Sequence, residues 1–546
     1  MSALSGTVLF RAARTLLIAA TMMVSTTVWA VAQDTPKAEP VSESEQPALP
    51  APAADVTGDP KPAEKAAGHE DHDHDHDGVK GGAGHAGEGH GDEGHGDAAH
   101  GEGHGSMGKH MPLWTTIPFV AILLAIAIFP LVNEHWWHHN SNKAIISAVL
   151  AIPVAAYLLI GYGHDGWHEL EHKILEYVSF IAMLGALFII SGGIYVKGSL
   201  SGTPLVNTLM LALGGSIASF VGTTGASMLL IRPLLRANAP RANKTHIVVF
   251  FIFIVSNCGG LLTPLGDPPL FLGFLSGVPF TWTFRLWMEW LTVNVILLVL
   301  FNIMDQIILN KEERERPGSQ LEQVQQHEPF GIIGGFNILL LLGVVGVIYA
   351  SGQGIGNGGA KWPVGIAEVL LAGLAVISYF ATPKSIHEAN HFSFVPINEV
   401  AILFAGIFVT MTPALLILNA NGSKLGVNEP WQFFWASGIL SSFLDNAPTY
   451  LTFAATACGM KDIPLEGAFL AEYLRRDGAA EILAAISCGS VFMGANTYIG
   501  NGPNFMVKAI AEERGVKMPS FFGYMAYSGA ILLPVFVVVT LLFFRG

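Results

Sequence analysis

Residues 263–271 read TPLGDPPLF and residues 497–505 read TYIGNGPNF, and both motifs interrupt long apolar segments. In each, an apolar half-helix ends, a Gly-containing break follows, and a second half-helix begins close to a proline. Asp267 and Asn501 suit a helix N-cap, and a proline in the first turn needs no N–H partner. Non-helical backbone at membrane depth is tolerated only where it is buried in protein or lines a cavity. The two motifs therefore predict two helices that are broken inside a membrane.

The composition of the chain indicates a membrane protein. Of its 546 residues, 51% are hydrophobic and only 13% are charged, whereas roughly 25% are charged in a soluble domain. About ten apolar segments of roughly 17–25 residues are long enough to cross a bilayer as helices. These segments begin near residues 113, 143, 174, 245, 284, 331, 363, 396, 480 and 522. We therefore predict an all-α polytopic membrane protein with about ten transmembrane helices.

The N-terminal region has the composition of an exported tail. Residues 1–32 carry two arginines and then an apolar run, which is typical of a secretory signal peptide; a first transmembrane helix is the alternative. Residues 33–111 are rich in His, Asp and Gly, and we expect a disordered periplasmic tail. Its imidazoles, for example His72, His74 and His76, could bind zinc, copper or nickel loosely. Residues 33–110 hold 17 acidic residues and 5 lysines, so most of the net charge of −14 belongs to this tail and not to a substrate site.

A second polar interruption precedes each broken helix. Residues 219–226 read SFVGTTGA and residues 442–449 read SFLDNAPT, each between two short apolar arms. Arms of roughly 10–18 residues are too short to span a bilayer singly, so we predict two re-entrant hairpins. The same order and similar residues in both halves indicate an internal duplication. With the tail outside, the first hairpin opens to the cytoplasm beside the basic segment 232–244 and the second opens outside, so the halves are inverted.

These features divide the chain into two transporter halves. The predicted ranges are 112–310 for the first half (hairpin about 203–236, broken helix about 245–280), 311–330 for a cytoplasmic linker, and 331–546 for the second half (hairpin about 431–458, broken helix about 480–510). Paired interrupted segments in two halves are typical of secondary transporters, and they indicate where the binding site lies.

Three motifs resemble the ion transporter superfamily: SNCGGLLTPLGDPP at 256–269, LDNAPT at 444–449 and TYIGNGPN at 497–504. This superfamily includes NhaD-type sodium/proton antiporters, ArsB-type arsenite exporters and citrate or dicarboxylate carriers. The resemblance covers roughly residues 113–544. It implies two hairpins that meet at the membrane midplane, a homodimer, and a transport domain that moves past a scaffold like an elevator. It also implies the lipid bilayer and a small ion or carboxylate as partners, with no cofactor and no nucleic acid.

Two ionisable residues, Asp267 and Asp445, lie in the interruptions. A charged side chain at membrane depth costs roughly 2.5–3.5 kcal/mol on insertion scales, which favours a functional role. Both positions also suit a helix N-cap, and neighbouring Ser, Thr and Asn side chains often satisfy only local backbone. Together, however, these side chains offer the hard oxygen ligands that a small cation needs. The residues that we expect to bind the ion are Asp445, Asn446, Thr449, Asp267, Thr263, Asn257, Thr223, Thr224, Asn496, Thr497 and Asn501.

The fixed negative charge favours a cation, and a titratable carboxylate can exchange Na⁺ for H⁺. We therefore predict a sodium/proton antiporter of the bacterial inner membrane, in line with the resemblance of the DNAP motif to the NhaD and ArsB patterns. The first hairpin departs from the NhaD pattern, because VGTTGA has no acid where those sequences have Asp-Asn. A citrate or other carboxylate carrier coupled to cations is the alternative, since helix N-termini at the breaks would suit an anion.

A different class of protein is suggested by residues 168–172, which read HELEH. On a helix, His168 and His172 would share a face and could bind zinc with Glu169 as general base, as in a membrane metalloprotease. His164 is a candidate third ligand. Polar residues are also expected at the mouth of a spanning helix, and a protease would not explain the duplicated breaks. We therefore expect a transporter and not an enzyme.

Overall fold

The computed structural model describes residues 107–137, 139–199, 201–315 and 328–545. The predicted signal peptide and the predicted metal ligands His72, His74 and His76 lie outside these residues. The described part of the chain is mainly helical with very little strand and confirms the predicted all-α polytopic class.

The helices and strands follow in this order. The first half contains α1 (Ile117–Val132), α2 (Glu134–Trp137), α3 (Asn140–Gly192), β1 (Tyr195–Ser199), α4 (Pro204–Val221), α5 (Thr223–Ala237), α6 (Thr245–Ile254), α7 (Pro268–Leu275) and α8 (Trp287–Glu315). The second half contains β2 (Glu328–Ile333), α9 (Phe336–Gln353), α10 (Ile366–Ala381), α11 (Lys384–Ala389), α12 (Val395–Asn421), α13 (Pro430–Ser441), α14 (Asn446–Gly459), α15 (Phe469–Tyr473), α16 (Ala479–Met493), α17 (Gly502–Glu513) and α18 (Phe521–Phe543). Short 3-10 helices occupy Leu113–Thr116, Cys258–Leu261, Phe280–Leu286, Gly422–Lys424 and Gly494–Asn496.

Eight helices in the described part of the chain are long and apolar enough to cross a membrane. They are Leu113–Pro130, Asn140–Gly192, Pro204–Val221, Phe280–Arg314, Phe336–Gln353, Val395–Lys424, Ala479–Asn496 and Phe521–Phe543. Two shorter apolar helices, Thr245–Leu261 and Ile366–Ala381, accompany them. The spans predicted to begin near 143 and 174 are parts of α3, whose backbone leaves the helical conformation at Gly163 (φ 57°, ψ −117°). A glycine adopts this positive φ because it has no Cβ.

The two predicted hairpins are pairs of helices joined by short turns. In the first, α4 and α5 are separated by Gly222 alone, with φ 83°. In the second, α13 and α14 have 12 and 14 residues. With 18 residues, α4 reaches the length of a span. Its length therefore does not distinguish a re-entrant arm from a crossing helix.

The half-helices that precede the two breaks form the interior of the protein. Residues 246–261 and 482–495 are buried at every position. A helix that is apolar on all sides must be covered on all sides by other helices. By contrast, α10 exposes large apolar side chains such as Val369 (70%) and Phe380 (80%), which indicates a face toward lipid or another subunit.

Two contacts that the sequence did not indicate lie beside the borders of the described ranges. β1 pairs antiparallel with β2, with Tyr195 opposite Ile333, and so ties the end of α3 to the start of the second half. Met107 and Met111 are buried against α12 at Leu416. The folded region therefore begins before residue 112, the predicted boundary of the tail.

A buried ion network fastens the segment after the first hairpin to α8. Arg241, which sequence analysis assigned only to a basic cytoplasmic segment, has no exposed side-chain surface and pairs with Asp305 at 2.7 Å and Glu312 at 3.0 Å. His246 Nε2 lies 2.8 Å from Asp305 Oδ1, and Asn207 donates to Asp305 Oδ2 at 2.9 Å. Buried charges persist where they are paired and hydrogen-bonded. The network therefore fixes the start of α6, the first broken helix.

Candidate functional site

The two halves repeat the same contact between a hairpin and its broken helix. Thr263 donates its hydroxyl to the carbonyl oxygen of Ser219, and Thr497 donates to the carbonyl oxygen of Ser442 at 2.5 Å. The four residues occupy matched positions in TPLGDPPLF, TYIGNGPNF, SFVGTTGA and SFLDNAPT. This repetition supports the internal duplication. It also means that Thr263 and Thr497, both predicted ion ligands, direct their hydroxyls at backbone.

The broken segments cross themselves so closely that glycine is required at matched positions. A Cβ on Gly266 would collide with the carbonyl oxygen of Gly260, and a Cβ on Gly500 would lie 2.5 Å from the carbonyl oxygen of Gly494. Real side chains do not approach a backbone oxygen so closely, and backbone cannot move aside in a packed interior. These glycines therefore shape both breaks.

The substitution Gly266→Ala should lower the free energy of unfolding by roughly 1–3 kcal/mol, the usual cost of overpacking a close-packed site. Gly502→Ala is the matched control, because a Cβ at Gly502 meets no atom within 4 Å. Alanine in that first turn of α17 should be neutral or stabilise by up to about 1 kcal/mol. Thermal midpoints of the two purified variants measure the difference. Equal midpoints would contradict the close approach at Gly266.

The centre of the site is the carboxylate of Asp267, which is only 1% exposed. Its Oδ1 accepts hydrogen bonds from the hydroxyl of Thr223 at 2.9 Å and the amide of Asn501 at 3.1 Å. Its Oδ2 accepts from the amide of Asn446 at 2.7 Å. These partners come from the first hairpin, the second break and the second hairpin. One carboxylate thus joins both hairpins and both breaks.

Asp267 does not perform the capping role that its position suggested. It stands at the N-cap position of α7, but its side chain makes no capping hydrogen bond. Asn501, at the N-cap of α17, likewise leaves its helix uncapped. Neither side chain is engaged by local backbone. Asp267 instead accepts from both halves, and Asn501 donates to residues of the first half. The alternative that Asp267 serves only as a helix N-cap is therefore wrong.

A shell of asparagines surrounds this centre. Asn501 donates to Ser256 O at 3.1 Å and to Asn257 Oδ1 at 3.2 Å. Asn257 in turn donates to Asn504 Oδ1 at 2.7 Å, and Asn504 donates to Gly494 O at 2.8 Å. Sequence analysis missed Asn504, although it is the last residue of the TYIGNGPN motif. Its repeat partner in the first half is Leu270, so the comparison of the halves did not single it out.

Asp445, the second candidate carboxylate, has a different environment. It is the N-cap of α14, and its Oδ1 accepts from Ala447 N at 3.1 Å. Its residue surface is only partly buried, and it lies close enough to Asp267 for the two charges to interact. Thr449, another predicted ligand, donates its hydroxyl to Asp445 O at 3.0 Å. Asp445 thus caps a helix, and Thr449 satisfies local backbone.

Two predicted ligands keep oxygen atoms without a protein partner. Asn496 donates to Ser442 Oγ at 2.8 Å, and its Oδ1 is buried without a hydrogen-bond partner among the described residues. Thr224, beside Thr223 at the first hairpin tip, is half-buried, and no side-chain hydrogen bond of its hydroxyl occurs within the described ranges. A buried acceptor without a donor is costly. The buried Asn496 Oδ1 is therefore an acceptor that a bound cation could satisfy.

Among the described residues, the hydrogen-bond partners of the centre include no basic side chain. Within the part of the chain that the structure describes, no Lys or Arg hydrogen-bonds to Thr223, Asp267, Asn446 or Asn501. The donors are one hydroxyl and two amides, and all three are directed at Asp267. The site is therefore negatively charged whenever Asp267 is ionised and no cation is bound.

The HELEH motif is not assembled as a metal site. His168 is exposed, whereas Glu169 is buried, and His172 Nδ1 lies 3.4 Å from Glu176 Oε1. Among the described residues, no group of three or more His, Cys, Asp and Glu side chains is placed to hold a metal. His164, the candidate third ligand, is exposed, and its Nδ1 lies 3.8 Å from Asp165 Oδ1. This arrangement counts against the metalloprotease alternative.

Comparison with known sequences identifies a family. A family model described as "Putative citrate transport" matches residues 108–544. This range includes both hairpins, both breaks and the carboxylate centre. No curated protein matches the chain.

Proposed function

Since the chain belongs to this citrate-transport family, we propose that it is a secondary transporter that moves citrate together with a cation bound at Asp267. The proposal depends on one observation: Asp267 is buried and accepts hydrogen bonds from both halves of the protein. An ionised carboxylate without a cationic partner is unfavourable at membrane depth. A proton or Na⁺ bound there would remove that cost. The bound cation would thereby determine when the loaded site can move across the membrane.

The hydrogen bonds of Asp267 offer a way to couple the bound cation to movement. Thr223 and Asn446 are the tips of the two hairpins, and both donate to this carboxylate. Binding of H⁺ or Na⁺ would change the charge that these donors face. The two hairpins and two breaks would respond together, as the elevator-type mechanism requires. We propose that these four elements form the moving part.

Citrate is the substrate class that the family description supports. Citrate carries up to three negative charges, and the centre contains no basic side chain in its described surroundings. Bringing citrate beside Asp267 and Asp445 would therefore require bound cations to offset the repulsion. α14 begins at the second hairpin tip and α17 at the second break, and their N-termini would favour the citrate carboxylates. Citrate and cations would thus enter the site together.

Sodium/proton exchange is the second candidate function. The oxygen atoms of the site favour it. Asn496 Oδ1 and the Thr224 hydroxyl are hard, uncharged oxygens, and Asp445 adds a carboxylate near Asp267. Oxygen ligands of this kind bind small hard cations. A site with such ligands and no basic side chain could exchange Na⁺ for H⁺ without any organic anion.

Proteoliposomes that contain the purified protein and a pH-sensitive dye separate the two functions. We expect labelled citrate to accumulate when an inward Na⁺ or H⁺ gradient is imposed, with no accumulation in empty liposomes. Addition of Na⁺, Li⁺ or K⁺ without citrate should leave an imposed pH gradient intact. Collapse of that gradient by Na⁺ or Li⁺, with no citrate uptake, would instead establish the antiporter. The absence of both responses would refute the proposed transport function.

A further inference from the structure

Arg232 in α5 is a buried arginine whose side chain has no partner among the described residues. It is 6% exposed, and its side chain makes no hydrogen bond or ion pair with any residue that the structure describes. Its Nη1 is one of the buried polar atoms left unsatisfied. An uncompensated buried charge is strongly destabilising, which is why buried arginines normally pair with carboxylates, as Arg241 does. The unpaired guanidinium of Arg232 therefore indicates a missing anion.

Arg232 lines a small cavity, which we call the Arg232 pocket. One wall is α5, and the other is the end of α3 together with residues 390–396. The polar lining residues besides Arg232 are Ser191, Asn390, His391 and Ser393. The cavity volume is about 30 Å³, which is roughly two to three times the volume that one enclosed water requires. The pocket therefore has room for a single carboxylate-sized group.

The wall opposite Arg232 is held in place before any ligand binds. Asn390 donates to Gly192 O and to Ile194 O, both at 2.8 Å. A Cβ on Gly192 would collide with the ring of Phe392, so the loop lies directly on the end of α3. His391 has φ 47°, an uncommon conformation for a residue with a Cβ. These contacts fix the loop, and His391 and Ser393 are exposed at its outer side.

The surroundings of the pocket favour an anion. None of the described residues that line it is acidic. In the described part of the chain, the charged groups that act on Arg232 are two further arginines, Arg236 and Arg514, and one carboxylate, Glu513. Arg236 is held by a hydrogen bond to Val196 O at 2.6 Å, and Glu513 is exposed on α17. The sum of these charges is positive, so the field at the pocket attracts anions.

We propose that the Arg232 pocket binds one carboxylate group of a soluble anion, at a site separate from the centre at Asp267. The identification of that anion as citrate rests on the proposed function. Arginine presents a planar pair of N–H donors that matches a carboxylate. One wall belongs to the first hairpin and the other to α3 and the 390–396 loop, so the proposed movement of the hairpin would open the pocket and close it again. It would hold citrate beside the moving part when closed.

A single cysteine at the pocket rim tests this inference without measuring transport. Ser393→Cys introduces an exposed thiol, whereas the three native cysteines, Cys258, Cys458 and Cys488, are buried. An anionic methanethiosulfonate reagent should label this thiol about tenfold faster than a cationic one of similar size. Citrate should slow the labelling, and chloride at the same ionic strength should not. Adding Arg232→Gln should abolish both effects, and adding Arg232→Lys should retain part of them.

Several outcomes would overturn the inference. Equal labelling by both reagents would exclude a carboxylate site. The absence of citrate protection would also exclude it, provided that Arg232→Gln retains the thermal midpoint of the parent protein. Protection in nanodiscs containing phosphatidylglycerol, but not by citrate in detergent, would assign the pocket to a lipid phosphate instead. The result is independent of the transport assay. Citrate protection that depends on Arg232 would support the anion site even if the citrate transport assay failed. Citrate transport without such protection would refute the anion site but not the proposed function.

Discussion

Asp267→Asn should reduce citrate or cation transport in proteoliposomes by about 100-fold, because the site loses a charged ligand worth roughly 3 kcal/mol to the bound cation. The amide cannot carry a proton or neutralise Na⁺ at the point where both halves meet. The variant should also lose its response to the imposed gradient, since the coupling ion has no other fully buried carboxylate in the described centre. Initial uptake rates at equal protein density measure this loss.

The folding of this variant must be checked, because Asp267 accepts three hydrogen bonds. Asparagine retains one acceptor oxygen, so at least one donor will face an N–H group. The expected loss is about 1–3 kcal/mol of stability. The thermal midpoint and the elution volume of the variant show whether it remains folded. A variant that is folded and still transports at the parent rate would refute the role of Asp267.

Asp445→Asn is the matched control. Its carboxylate caps α14 through Ala447 N, and asparagine is an equally good N-cap. We therefore expect an unchanged thermal midpoint and a loss of transport of less than about tenfold, the equivalent of 1.4 kcal/mol. A loss as large as that of Asp267→Asn would show that the two carboxylates act as a pair.

Arg241→Gln should lower the stability of the folded protein by about 3–5 kcal/mol, because it leaves Asp305 and Glu312 buried without their cationic partner. Arg241 is held by ion pairs of 2.7 Å and 3.0 Å to these residues, and its side chain has no exposed surface. Glutamine can replace one hydrogen bond but not the charge. Unfolding by titration with sodium dodecyl sulfate in mixed micelles measures the change.

Arg476→Gln is the control, because it removes an exposed arginine instead of a buried one. Arg476 pairs with Glu472 at 3.3 Å, four residues away, and both side chains are 51% exposed. Exposed pairs of this kind contribute roughly 0.2–1 kcal/mol. If Arg241→Gln is no more destabilising than Arg476→Gln, the buried network does not anchor α6.

The helical breaks and hairpins could be located from sequence because their causes are local. Glycine and proline restrict the backbone in their own vicinity, and TPLGDPPLF and TYIGNGPNF contain both. The structure accordingly ends α6 at Ile254 and begins α7 at Pro268, and it ends α16 at Met493. The strand pair of β1 and β2 had no such local signal. It depends on the approach of segments that are more than 120 residues apart in the chain.

The sequence by itself determined that this is an all-α membrane protein with two interrupted segments and carboxylates beside them. It could not distinguish Asp267 from Asp445, since both are acidic residues at a helix N-cap position. Only the tertiary structure made the distinction. Asp445 bonds a residue two positions away, whereas the partners of Asp267 are 44, 179 and 234 residues distant. A capping preference is a property of adjacent residues, but the partners of a buried carboxylate are decided by which distant segments the packed helices bring together.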